Sequence, residues 1–136
     1  MSYGAAAALQ AAVYSRLMAD PGLTGLVNGA IFDVPPAGAV PETYVSIGPE
    51  EVYEADDGTG VGARHRFTVS VVTAEAGFHE AKLVAAAVSD ALHGARPALS
   101  RGRVVWITFQ RAVARRFGAG NRRRIDLRFE ARVDLD

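Results

Sequence analysis

Apolar residues return every four positions at the start of the chain, where Leu9, Val13 and Leu17 lie among alanines and other good helix formers. That spacing predicts an amphipathic helix with one buried stripe, ending before Asp20-Pro21-Gly22. Leu23, Leu26 and Val27 predict a short helical turn closed by Asn28-Gly29. Ala30 to Val34 reads as a brief strand, cut off by the loop Pro35-Pro36-Ala37-Gly38, because proline offers no amide donor. The period then changes to two. Thr43, Val45 and Ile47 alternate with polar positions and predict a second strand, with Pro49 at a bulge or edge.

Asp56 to Gly62 reads as a loop, after which His65, Phe67, Val69 and Val71 alternate with Arg64, Arg66, Thr68 and Ser70. This is a half-buried strand, with His65 expected at its rim. Gly77 introduces a second full helix over Phe78 to His93, whose Phe78, Ala81, Ala85, Val88 and Leu92 share one face. Gly94 stands where a helix-terminating glycine belongs. Val105, Ile107 and Phe109 begin a fourth strand, and Phe117-Gly118-Ala119-Gly120-Asn121 forms a turn. The last strand alternates most regularly: Ile125, Leu127, Phe129, Ala131 and Val133 face one way, and Arg124, Asp126, Arg128, Glu130, Arg132 and Asp134 face the other. Opposite charges two residues apart on one sheet face can pair in water. The expected fold is a single α+β domain over residues 1–136, a mostly antiparallel sheet of four to five strands with two helices packed on one face.

With 136 residues the chain can bury a core without staples, and it has no cysteine, which excludes disulfides, thiol nucleophiles and thiolate-bound zinc. No apolar run reaches the length of a membrane span, and the first residues lack the basic start and long apolar stretch of a secretory leader. A product assembled in the bacterial cytoplasm is the expectation. Net charge is zero, yet residues 1–95 carry four basic and eleven acidic residues, and residues 96–136 carry eleven arginines and four acids. The two parts thus differ as −7 and +7. Such asymmetry suits contact between copies of the chain, or a nucleic-acid face.

Catalytic signatures are missing. Gly58-Thr59-Gly60-Val61-Gly62 leads into a strand rather than a helix, so no helix N-terminus is presented to a phosphate. His79 and His93 are fourteen residues apart on one helix, roughly 21 Å, too far to share a metal. No serine sits in a nucleophile-elbow context, and the adjacent acids Glu50-Glu51 and Asp56-Asp57 have no apolar pocket to raise a pKa. No enzyme activity, cofactor or metal is expected. The candidate interface residues are the acidic stretch Glu50, Glu51, Glu54, Asp56 and Asp57, and the arginines flanking the last turn, Arg115, Arg116, Arg122, Arg123 and Arg124. Arginine grips carboxylate or phosphate through paired N–H bonds, so the turn could hold a neighbouring subunit or a DNA backbone. The acidic and basic stretches are expected on opposite flanks of the subunit.

Three segments together carry a family resemblance: Leu9-Gln-Ala-Ala-Val-Tyr-Ser-Arg-Leu17, Asp20-Pro-Gly-Leu-Thr-Gly-Leu26 and Ile31-Phe-Asp33. With the proline-rich loop before Tyr44-Val-Ser-Ile-Gly48, and Ala76-Gly-Phe-His-Glu-Ala-Lys82 running into Val88-Ser-Asp-Ala-Leu-His93, the chain resembles the tail-completion family of long-tailed phages, prophages and gene transfer agents. The resemblance implies a tail terminator, a virion protein forming a ring, commonly of six copies. Such a ring caps the head-proximal end of the tail tube and meets the head-completion (neck) proteins. DNA passes through its bore without sequence-specific recognition, and no membrane is involved. None of the matching residues is a catalytic signature, and the resemblance assigns no role to the arginines around residues 115–124. Two other classes fit the residues: a head-completion or connector adaptor of the neck, and a stand-alone nucleic-acid-binding domain using the arginine-rich hairpin.

Overall fold

A computed structural model describes residues 3–55, 60–118 and 122–135. Helix α1 (Ala6–Met18) buries Leu9, Val13 and Leu17, as their four-residue spacing requires. Helix α2 (Pro21–Val27) starts where the Asp20 carboxylate accepts the Leu23 amide at 3.0 Å and Pro21 fills the first turn. It stops at Asn28, whose left-handed backbone (φ 52°) turns the chain out of the helix. Strand β1 (Ile31–Phe32) runs parallel to β2 (Thr43–Glu54). Then follow β3 (Gly62–Thr73), α3 (His79–Leu92), β4 (Arg103–Phe117) and β5 (Arg122–Asp134).

The five strands lie in the order β1-β2-β3-β5-β4, every pair but the first antiparallel. The described residues form an α+β fold with three helices, the short α2 adding to the two long ones expected. Val45, Ile47, Phe67, Val69, Val71, Ile107, Ile125, Leu127 and Phe129 from one sheet face join Leu9, Leu17, Leu23, Val84, Val88 and Leu92 in one core. Phe67 and Phe129 stack at 5.5 Å between centroids across neighbouring strands, with Phe109 edge-on to Phe129 at 5.8 Å.

Bulges adjust the phase. One between Ile47 and Glu50 takes up Pro49, as its missing donor requires. Another between Val104 and Trp106 makes Val104, rather than Val105, the buried residue at the start of β4. A third lies between Phe109 and Arg111 and moves Arg111 onto the helix-free face opposite Arg128. His65 departs from its expected rim position. Its ring is fully buried and its Nδ1 lies 3.2 Å from Glu50 Oε2.

Candidate subunit interface

The β4–β5 hairpin places Arg115 opposite Arg124, Arg116 opposite Arg123, and Phe117 opposite Arg122. Directly opposed residues share a sheet face, so these arginines divide between two faces. Arg115 and Arg124 stand on the helix-free face and converge on Asp126, Arg124 Nε donating at 2.7 Å and Arg115 Nη2 at 3.3 Å. Ser70 Oγ donates to the same carboxylate at 2.6 Å and accepts from Arg124 Nη2 at 3.1 Å. Burial alone would raise the Asp126 pKa. The bonds from Ser70 and Arg124, with the charges of Arg124 and Arg115, outweigh it and hold the carboxyl below its ordinary value.

Arg123 belongs to the other face, where it donates to the Glu75 carbonyl at 3.2 Å and lies 5.4 Å from the centre of the Phe78 ring. It is a strut between hairpin and α3 rather than a free contact. Arg116, on that same face, is exposed. The hairpin therefore does not present five arginines together.

Two arginines that the sequence reading did not single out complete the arrangement. Arg111 and Arg128 line a cleft of about 500 Å³ on the helix-free face with Arg115, Arg124, Asp126 and Thr68. Four guanidinium groups against one carboxylate suit an anion. The period-two pattern of β5 pointed Arg128 to this face, whereas the bulge that brings Arg111 beside it leaves no mark in the sequence.

The acidic stretch is also divided. Glu50 turns inward to His65, Glu51 is exposed opposite Arg66, and Glu54 is exposed at the end of β2. Asp56 and Asp57 lie outside the described residues. Because β1 pairs only with Val45 and Ser46, no strand among the described residues borders β2 from Ile47 to Glu54 on the side away from β3. The acids thus sit on one edge of the sheet and β4 forms the opposite edge. Glu54 pairs with Ala63 and Arg116 lies level with Thr73, so Glu54 and the hairpin tip occupy diagonal corners.

Among the described residues no group of three histidines or carboxylates is placed to hold a metal ion. No helix among them is long and apolar enough to cross a membrane. His93 does local work, its Nδ1 accepting the Phe109 amide at 3.0 Å.

Among known proteins, the model of the family described as tail completion protein gp17 matches residues 11–134. No curated protein matches. A solved structure described as the virion of a native gene transfer agent particle contains a chain 56% identical to this one. The likeness covers 98% of this chain and 99% of that one, with a TM-score of 0.92. The match over nearly the whole length, on a fold whose exposed features are charged sheet edges, places the chain in the tail completion protein gp17 family, as a structural component of a phage-type tail and of the virion that carries it.

Proposed function

We propose that the protein is a tail terminator of a gene-transfer-agent or phage particle. Copies join head to tail into a ring, of six by the family resemblance, on the head-proximal end of the tail tube. The ring stops addition of tube protein, offers its far side to the head-completion protein of the neck, and leaves a bore through which DNA passes. The work is geometric, with no bond made or broken. The observation that carries this reading is the likeness at 56% identity, across both full lengths, to a chain of a gene transfer agent virion. The opposed, exposed sheet edges support it, since a ring needs two different patches on each subunit.

The test is assembly of the tube protein in the presence and absence of this chain, viewed by negative-stain microscopy. The expected result is a ring on one end of each tube and arrested growth. Tubes that lengthen as they do alone, with no added density at either end, would refute the reading.

A further inference from the structure

Charge is sorted by sheet edge more sharply than the two-part count shows. Residues 17–63 contain eight acids and no basic residue; α2, β1 and β2 lie within this range, and Asp56 and Asp57 lie outside the described residues. Residues 91–125 contain nine arginines and no acid; seven of these arginines lie in β4 and the start of β5, and Arg96 and Arg101 in the segment before β4. The fold sets β1 and β2 at one edge of the sheet and β4 at the other. A chain with no net charge is therefore acidic on one flank and basic on the opposite one.

The flanks also match along the strand direction. Reading across the rungs, Arg116 is level with Arg123, Thr73 and Thr43, next to the exposed Glu42. Arg111 is level with Arg128 and Thr68, beside the β2 bulge that precedes Glu50 and Glu51. Arg103 is level with Asp134 and Gly62, one rung from Glu54. Successive antiparallel pairings make β2 and β4 run in opposite directions. A second copy rotated about an axis parallel to the strands keeps its rungs at the same height, so its β4 arginines come level with the β2 acids of the first.

The β4 flank is also built for covering. Every residue from Phe109 to Arg116 is exposed, including Ala112, Val113 and Ala114 in mid-strand. At the opposite edge, α1 and β1 leave an apolar groove with Tyr14, Phe32 and Val34 in its wall. Pro49 and the bulge interrupt the free edge of β2, so a continuous backbone ladder between copies is disfavoured and side chains must make the contact.

We infer that the β4 edge of one copy, through Arg103, Arg111 and Arg116, docks against the β1–β2 edge of a second copy at Glu42, Glu51 and Glu54. This rests on the ring reading and names the two surfaces that close it. Opposite charge steers the encounter and sets the height of one copy against the next, while the apolar residues between the charges exclude water. The hairpin-tip arginines thus meet Glu42, and the stretch from Glu50 onward meets the base of β4 rather than the tip.

The test uses two variants of the full chain, Arg111→Glu with Arg116→Glu, and Glu42→Arg with Glu51→Arg. None of these four side chains makes an ion pair within 4 Å among the described residues, so both variants should fold, which circular dichroism and thermal melting check. Sedimentation velocity at low salt should show self-association of each variant weakened by about tenfold or more against the unaltered chain. The two variants mixed in equal amounts should associate again, because every contact between unlike copies then joins opposite charges. An unaltered chain that remains monomeric, single variants that associate normally, or a mixture that does not recover would each overturn the inference. Variants that associate normally but lose salt-sensitive DNA binding would assign the arginine flank to DNA instead. Capping of tail tubes by the unaltered chain reports on the ring reading separately, so either idea can fail alone.

Discussion

At the scale of single residues, Asp126 shows how an exposed-looking position becomes part of the scaffold. Its carboxylate ties β3 to β5 and β4 through Ser70, Arg124 and Arg115, all on the helix-free face. Because its folded-state pKa is depressed, its ionisation stabilises the fold fully above the unfolded value of about 3.9. That contribution is lost as pH falls through the folded value. Asp126→Asn should therefore cost about 1 kcal/mol in urea titrations near neutral pH. The gap to the unaltered chain should hold constant down to about pH 5 and close below about pH 4. A gap that widens in acid would show that the carboxylate is destabilised in the folded chain. His65 carries a different lesson at the same scale. Alternation with Phe67 and Val69 already assigned it to the inner face, and its place ahead of the apolar run suggested the rim. Glu50, brought inward just after the bulge, supplies the partner that lets an imidazole stay buried.

At the scale of elements, the period of apolar residues was enough to find both long helices, the turn that becomes α2, and the inward set of β5. Each depends only on local geometry, whether 3.6 residues per turn or alternate faces of a strand. Strand order did not follow from the same pattern. Alternation says which face a residue takes and nothing about its neighbour strand, so the placement of β5 between β3 and β4 was not readable. The parallel pairing of β1 was hidden for the same reason. Proline marked the bulge in β2, but the two bulges of β4 were a second blind spot, because one extra residue reverses the faces beyond it, as at Val104 and Arg111. The phase of β5 can be tested directly. Phe129→Asp places an unpaired charge where Phe67 and Phe109 meet the ring, and should cost more than about 3 kcal/mol or abolish folding. Arg128→Ala, one residue away on the cleft side, should cost less than about 1 kcal/mol by thermal melting. Equal losses at the two positions would mean that both sides of β5 are packed.

At the scale of the whole molecule, the charge asymmetry behind the proposed interface was legible as two blocks but not as a set of facing residues. Composition recorded that acids precede arginines along the chain. Only the sheet order could convert sequence distance into opposite edges, and only the register could pair Glu42 with the height of Arg116. The same arrangement separates what salt should do to folding from what it should do to assembly. Within one subunit, charged pairs such as Arg66–Glu130 at 2.8 Å and Arg132–Asp134 at 2.7 Å are close contacts, and the core beneath them is apolar. Between approaching subunits the flanks act over longer distances, and screening shortens that range from about 30 Å at 0.01 M salt to about 3 Å at 1 M. Raising salt across this range should slow association of the subunits by about tenfold or more in stopped-flow light scattering. The melting temperature of the unassociated chain should move by only a few degrees, because closely held, partly buried ion pairs are screened little by salt. Association that quickens with salt would instead assign the encounter to the apolar residues of β4 and the groove beside α1, leaving the sorted charges no part in bringing the copies together.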